Sequence, residues 1–324
     1  MPLSEIAGLA ATLDWKGHSE VADAAAARWG YLPGTARFWR SSASHVFVLP
    51  TPDQPSGRAF LRFVPETWRP LPRVRIIARL AARLAEHGRP VAAPLSSVDG
   101  HVAEAVATPR GVVHATLIAG APGTSVDLPD LTTGQASAWG AALADLHAAS
   151  EQLTDLGAEL PEAFEELDAA AAVLAPDPEL IPAVARLRDA LAGLPRDRAS
   201  FGVGHGDFEL DNLAWTGDTP TAYDFDDATR TWFVADIASA LRDLSSVDSP
   251  PGRAFVEGYR TVRELPASAL ATLPSFAAAQ AATWLVRLRA IVDCAASPGD
   301  PPWLVTLRAR LDQHRLRQRA IVLG

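Results

Sequence analysis

The sequence predicts an α+β fold in two lobes, a small antiparallel-sheet lobe over residues 1–119 and a larger, mainly helical lobe over residues 120–324. Three observations lead there. Between residues 37 and 118, short apolar or alternating runs are separated by turn residues, which is the pattern of strands joined by hairpins. Beyond residue 120 the apolar residues recur mostly at helical spacing. Between the two regimes lies Gly120-Ala121-Pro122-Gly123, a cluster that breaks regular structure. A chain of 324 residues is long enough to bury two separate cores.

The elements follow in order. Residues 1 to about 30 read as one or two alanine-rich helices. Arg37–Arg40 and His45–Leu49 read as strands around the small-residue turn Ser41-Ser42-Ala43-Ser44. Thr51–Gly57, with Pro52 and Pro55, is the loop before a third strand, Arg58–Val64. In Arg73–His87 the residues Val74, Ile77, Leu80, Ala81 and Leu84 fall on one helical face, and Gly88 ends the helix. His101–Ala107 and Val112–Ile118 are strands joined by the turn Thr108-Pro109-Arg110-Gly111. Ala136–Ala149 is a helix with Trp139, Leu143, Leu146 and His147 on one side. Glu151–Leu194 is acidic and alanine-rich, and reads as helices whose carboxylates form a solvated face. Leu265–Val286 carries no charge, but Pro266, Pro274, Gln280 and its small residues fit a buried helix better than a membrane span. Pro302–Val322 is a last helix whose arginines, Arg308, Arg310, Arg315, Arg317 and Arg319, are expected to be solvated or paired with the acidic stretch.

Composition narrows the function classes. Apolar residues make up 48% and charged residues 21%, as in ordinary globular proteins. A formal net charge of −9 disfavours a nucleic-acid partner. One cysteine, Cys294, makes no internal disulfide, which fits a reducing compartment and a cytoplasmic location. No membrane partner is expected.

The chemistry concentrates in His205-Gly206-Asp207-Phe208-Glu209-Leu210-Asp211-Asn212 and, after a short hairpin around Thr216-Gly217-Asp218-Thr219-Pro220, in Tyr223-Asp224-Phe225-Asp226-Asp227. The hairpin brings its ends together, so Asn212 and Asp224 face one point. Two oxygen ligands there suit Mg²⁺, which fills its shell with water and phosphate oxygens. Asp207 then stands beside the metal, ready to accept a proton. Base, metal amide and metal carboxylate are the working set of phosphoryl transfer. Plainer readings stand beside this one. His205 and Asp207 would serve a zinc or iron site if a third nitrogen or sulfur ligand were near, but the nearest other histidine in sequence is His147. Asp226 and Asp227 also suit a turn or a helix cap. His205 is expected to organise the loop by hydrogen bonding.

These residues resemble the aminoglycoside phosphotransferase and choline-kinase-like family, whose signature is His-Gly-Asp, four residues, Asn, then a strand carrying Asp. Asp224-Phe225-Asp226 stands where protein kinases carry Asp-Phe-Gly. The run on to Ala228 and the later Trp232-Phe233-Val234-Ala235-Asp236-Ile237-Ala238 are most similar to a branch of stress-response and hydroxylysine-kinase-like enzymes. The resemblance implies a bilobal protein-kinase-like fold, ATP and Mg²⁺ as cofactors, and a small-molecule hydroxyl acceptor. It implies Asp207 as the base, Asn212 and Asp224 as metal ligands, and a supporting role for Asp226. It also implies a structural role for Asp236, starting a helix and accepting backbone N–H bonds from the catalytic loop. In this fold the Ser41–Ser44 turn covers the phosphates, through Ser42 and Ser44. The segment from Leu117 and Ile118 out of the first lobe offers its backbone to adenine.

A kinase-like first lobe needs a cation on its third strand for the α- and β-phosphates. The chain has 28 arginines and a single lysine, Lys16, which lies outside any strand pattern. Arg62, in the alternating run Arg58–Val64, takes the role, and its guanidinium fork suits phosphate oxygens. The plainer reading of Arg62 is a surface arginine on an edge strand. The helix Arg73–His87 departs from the kinase pattern. Where a glutamate would pair with the strand cation it offers Arg75, Arg79 and Arg83, with Glu86 only at its end. The missing glutamate leaves a nucleotide-binding pseudokinase open as an alternative, and the similarity to the stress-response branch leaves a protein Ser/Thr kinase open.

Overall fold

The computed structural model describes residues 1–244 and 246–324. The chain forms two compact units. Unit 1 comprises Met1–Ala82, Ala92–Pro122 and Leu288–Leu311. Unit 2 comprises Arg83–Val91, Gly123–Arg287 and Asp312–Gly324. A single cut after residue 119 would leave Leu288–Leu311 in the second lobe, whereas its contacts belong to unit 1.

The elements up to Pro122 are α1 (Leu3–Ala10), α2 (Glu20–Ala26), β1 (Arg37–Ser41), β2 (His45–Pro50), β3 (Arg58–Pro65), α3 (Leu71–Glu86), β4 (Pro94–Leu95), β5 (Glu104–Thr108) and β6 (Gly111–Ala119). The strands form one antiparallel sheet in the order β1-β2-β3-β6-β4, with β5 also paired to β6. Alternation sets its two faces. In β3, Ala59, Leu61 and Phe63 are buried while Phe60 and Arg62 are half-buried. Phe47, Leu49, Leu61, Phe63 and Leu117 pack with Val21, Ala22 and Ala25 of α2. Each such large side chain contributes about 1.5–3 kcal/mol on burial. β3 is central, with Arg62 opposite Val46 on β2 and Thr116 on β6, so the edge-strand reading of Arg62 does not apply.

Two local expectations need correction. The strand expected over His101–Ala107 begins only at Glu104. His101 closes a turn instead: its carbonyl accepts from Ser97 N (2.8 Å), and its own N–H donates to Ser97 Oγ (3.1 Å). The two-residue strand β4 was not anticipated, because Pro94–Leu95 is too short to show a period.

Unit 2 continues with α4 (Thr133–Ser150), α5 (Thr154–Gly157), α6 (Ala163–Leu174), α7 (Leu180–Ala192), β7 (Phe201–Gly204), β8 (Leu213–Thr216), β9 (Thr219–Ala222), β10 (Thr229–Trp232), α8 (Phe233–Ala240) and α9 (Pro250–Arg260). The helices α10 (Ala267–Leu270), α11 (Leu273–Ile291) and α12 (Pro302–Leu323) complete the chain. Its main core joins α6, α7 and α11 through Leu167, Leu174, Val184, Leu191, Phe276 and Leu285, with Trp232 of β10. α4 and α9 touch backbone to backbone. A Cβ at Gly140 would overlap the carbonyl of Phe255, so only glycine fits that crossing.

Several carboxylates of the acidic stretch are paired with arginines, one of them from the last helix, rather than simply solvated. Glu151 bonds Arg198 (3.0 Å) and Arg263 (2.5 Å), Glu162 bonds Arg196 (2.7 Å) and Arg230 (3.1 Å), and Arg319 of α12 bonds Asp177 and Glu179. By length and composition Ala267–Ile291 is apolar enough to cross a membrane. In this fold Phe276, Ala281, Ala282 and Leu285 of that stretch pack into the unit 2 core. Pro274 is tolerated because it stands in the first turn of α11, where no helical acceptor is needed.

Candidate active site

The geometry of the unit 2 site starts from two antiparallel pairs. β8 and β9 form a hairpin in the register Leu213–Ala222, and β7 pairs with β10 in the register Gly204–Thr229. The loop His205–Asn212 runs out of β7 into β8, and Tyr223–Ala228 runs out of β9 into β10. Tyr223 N donates to Asn212 O (3.0 Å), which extends the hairpin by one step and places Asn212 and Asp224 at its open end.

Asp236 anchors the loop. It is fully buried, and its carboxylate accepts His205 N (2.6 Å) and Gly206 N (2.7 Å). His147 Nε2 is 3.0 Å from the same carboxylate, and His147 Nδ1 is 2.9 Å from the Tyr259 hydroxyl. Burial works against the charge on Asp236, but the His147 hydrogen bond and the backbone donors outweigh it and hold the carboxyl below its usual range. Burial pushes the His147 imidazole down despite Asp236, and it pushes the Tyr259 phenol up. A neutral His147 therefore donates to an ionised Asp236 and accepts from Tyr259. Asp236 lies in the first turn of α8, whose N-cap position is Trp232 and carries no side-chain cap bond. The carboxylate caps the neighbouring loop, not its own helix, which corrects the N-cap analogy.

His205 is buried as well. Its Nδ1 accepts from Asp207 N (3.3 Å) and its Nε2 donates to Tyr223 O (3.1 Å), so the ring ties the two loops together. It also packs 4.3 Å from the Phe225 ring. Trp139 Nε1 of α4 donates to Phe208 O (3.1 Å). Gly206 has φ +84°, and a Cβ there would overlap the carbonyl of Asp227, so the position requires glycine twice over.

The Asp207 carboxylate is held from two sides. Asn212 Nδ2 donates to Asp207 O (2.8 Å) and Oδ2 (3.1 Å), while Arg242 Nη2 donates to Oδ1 (3.0 Å). Arg242 also bonds Glu209. Burial pushes the Asp207 carboxyl up, with Arg242 opposing and Asp227 adding to the rise. Burial raises Glu209 too, helped by the charge of Asp207. Both side-chain bonds of Asn212 leave through Nδ2, so its Oδ1, the atom a cation would take, stays out of them. Asp224 has φ 65° and ψ 62°, the one left-handed non-glycine residue among the described residues. Such a conformation costs about 1–3 kcal/mol and persists where the surroundings impose it, typically at ligand sites. An amide and a carboxylate on one hairpin end are a fitting donor set for Mg²⁺. Among the described residues no three His, Cys, Asp or Glu side chains gather as a metal site, so nothing there supports the zinc or iron reading. Asp226 is half-buried in the turn Phe225–Asp227. Asp227 pairs with Arg287 (2.7 Å). A cleft beside Gly206, Asp227 and Arg242 is walled by Glu166, Leu167, Phe276, Gln280, Trp284 and Arg287.

In unit 1, Arg62 Nε donates to Ser44 Oγ (3.3 Å), so the strand cation and the turn serine meet. Ser44 is buried and Ser42 is exposed, with Ser42 N bonded to Ser44 O (3.0 Å). Glu86 lies 3.6 Å from Arg83 on α3. Leu117 and Ile118 sit inside the ladder, between β3 and β4. Ala119 N and Gly120 N are bonded to Ala93 O and Arg58 O. Sequence reasoning missed Arg242, Arg287 and the Trp139 bond. The composition, 28 arginines against one lysine, was the available signal that guanidinium groups would meet the site's carboxylates.

A family model described as "Phosphotransferase enzyme family" matches residues 35–271, most of the chain. The chain belongs to this phosphotransferase family. It is therefore a kinase of the small-molecule phosphotransferase class, with that family's kinase-like α+β fold. An uncharacterized protein of Synechocystis, sll1119, is 28% identical over 248 residues, covering 72% of this chain and 67% of the relative. Amicoumacin kinase of Bacillus subtilis is 25% identical over 268 residues, covering 78% and 79%. A solved structure of the amicoumacin kinase hAmiN, in complex with AMP-PNP, Ca²⁺ and Ami, superposes with a TM-score of 0.74 at 20% identity, covering 92% of this chain and 91% of that one.

Proposed function

We propose that this phosphotransferase moves the γ-phosphate of ATP to a hydroxyl group of a small molecule in a Mg²⁺-dependent reaction. The observation that carries the reading is the Asp207 carboxylate, held by Asn212 and Arg242 beside the hairpin end that bears Asn212 Oδ1 and Asp224. Asn212 and Asp224 would hold the cation, with Asp226 beside them. The cation would neutralise charge on the transferring phosphate. Arg62, with Ser44 and Ser42, would receive the α- and β-phosphates in the sheet-bearing unit. Asp207 orients the acceptor hydroxyl and takes its proton as the new O–P bond forms and the bond to the ADP oxygen breaks. His205 and Asp236 keep the loop in shape for this. Positioning and charge neutralisation supply most of the acceleration. The names of the relatives support a small-molecule acceptor, and the AMP-PNP and Ca²⁺ of the amicoumacin kinase structure support a nucleotide and a divalent cation. The single cysteine and the net charge of −9 support a cytoplasmic enzyme without nucleic-acid partners.

The test pairs two variants. Asp224→Ala should abolish the Mg²⁺-dependence of ATP binding in calorimetry. Asp207→Asn should keep ATP binding and lower phosphate transfer by roughly a hundredfold or more. Equal ATP affinity in EDTA and in Mg²⁺ would refute the metal assignment. Bound ATP without turnover to any acceptor, water included, would favour a pseudokinase.

A further inference from the structure

We infer that Arg242 is the positioning residue for the Asp207 carboxylate, with Glu209 as its counter-anion; the inference rests on the phosphotransferase reading above. One guanidinium nitrogen, Nη2, reaches both Asp207 Oδ1 (3.0 Å) and Glu209. The two acids are two residues apart in a turn closed by a bond from Glu209 N to Asp207 O (3.0 Å), and the shared nitrogen shows their side chains side by side, where like charges would push them apart. Burial raises both carboxyls, the charge of Asp207 adds to the rise at Glu209 and that of Asp227 to the rise at Asp207, and Arg242 opposes the rise at both. The other carboxylate oxygen, Oδ2, is taken by Asn212 Nδ2 (3.1 Å), and Ser239 Oγ lies 3.5 Å from Oδ1. The carboxylate plane is thus set by donors at both ends. The end that does not touch the proposed metal site belongs to Arg242.

The placement of Arg242 is itself controlled. It follows α8 directly, and α8 carries Asp236, whose carboxylate fixes the backbone of His205 and Gly206. One helix therefore sets the loop backbone through Asp236 and the rotamer of the loop's reactive side chain through Arg242. Arg242 also lines the cleft beside Gly206 and Asp227, so an acceptor there meets an Asp207 already turned by the guanidinium. The side chains of Arg242, Asp207 and Glu209 are 34%, 23% and 22% exposed. Pairs this open contribute little to stability, so the consequence belongs in the rate rather than in melting.

The experiment measures Mg·ATP hydrolysis, with water as acceptor, by phosphate release. It compares wild type, Arg242→Ala, Arg242→Lys, Asp207→Asn and the double variant Asp207→Asn/Arg242→Ala. Arg242→Ala should lower kcat by about tenfold to a hundredfold, the scale of a misplaced reacting group, with KM for ATP within about twofold. Arg242→Lys, or guanidinium ion added to Arg242→Ala, should restore part of the loss. Because Arg242 acts through Asp207, the double variant should be no slower than Asp207→Asn alone. An unchanged kcat in Arg242→Ala, or multiplicative losses in the double variant, would overturn the inference. Amide hydrogen exchange of residues 205–212 decides it without turnover. Faster exchange in Arg242→Ala, restored in Arg242→Lys, supports it, and unchanged exchange refutes it. A wild type that hydrolyses no ATP would count against the proposed function, while the exchange result would still settle the role of Arg242.

Discussion

Replacing Asp236 by asparagine tests the anchor on which the loop depends. The carboxylate is fully buried, with Oδ2 taking His205 N and His147 Nε2 and Oδ1 taking Gly206 N. Asparagine keeps one oxygen. If that oxygen stays toward His205 and His147, the new NH₂ group faces Gly206 N–H, and two buried donors are left without acceptors. Each orphaned donor costs about 1–3 kcal/mol, and the surviving bonds lose their ionic partner, so the expected loss is about 2–5 kcal/mol. For a unit of this size each kcal/mol lowers Tm by about 2–4 °C, so the melting transition should fall by roughly 5–15 °C. Differential scanning calorimetry reads this directly. Asp218→Asn, in the exposed β8–β9 turn, is the matched control and should change stability by no more than about 0.5 kcal/mol. Kinase turnover of Asp236→Asn, assayed well below its Tm, should fall as well, because Gly206 N–H no longer holds the loop beside Asp207. A Tm within about 2 °C of wild type would mean that the three bonds at Asp236 do not carry the loop, and the reasoning would fail.

Two further outcomes follow from other parts of the molecule. Arg62→Ala should raise KM for ATP and lower turnover with little change in Tm, and Arg62→Lys should recover part of the loss because the charge remains without the fork; unchanged kinetics in Arg62→Ala would assign the phosphates to another arginine. His45 is buried, and burial, with Arg110 and the N-terminal amine adding, holds its imidazole down to about 3 from an ordinary 6.5. The unfolded chain therefore binds one more proton than the folded chain between those values. Stability should fall as pH drops through that window, by about 1.4 kcal/mol per pH unit for this one group. Buried His147 acts in the same direction. Denaturant unfolding of His45→Gln should show a flatter acid slope than wild type, and an identical slope would refute the assignment.

The sequence by itself determined what depends on neighbours along the chain. The strands of β1–β3, the helices α3, α4 and α12, and the turn at Thr108–Gly111 are written in short-range periodicity and turn chemistry. The spacing of Asp207, Asn212 and Asp224 was legible for the same reason, since a hairpin of a few residues decides which of them share an end. What the sequence left undecided are pairings across long separations. Nothing local marks Phe201–Gly204 as the partner of Thr229–Trp232, or places Trp139 on the carbonyl of Phe208. The use of Asp236 as a cap for a loop 30 residues earlier, with His147 behind it, depends on how α4 and α8 pack around β7. Arginine shows the limit most clearly. With 28 of them and one lysine, composition signals that guanidinium groups do the cationic work. Only tertiary structure assigns Arg242 to Asp207 and Glu209, and Arg287 to Asp227, because a long flexible side chain takes its partner from whatever carboxylate folding brings within reach.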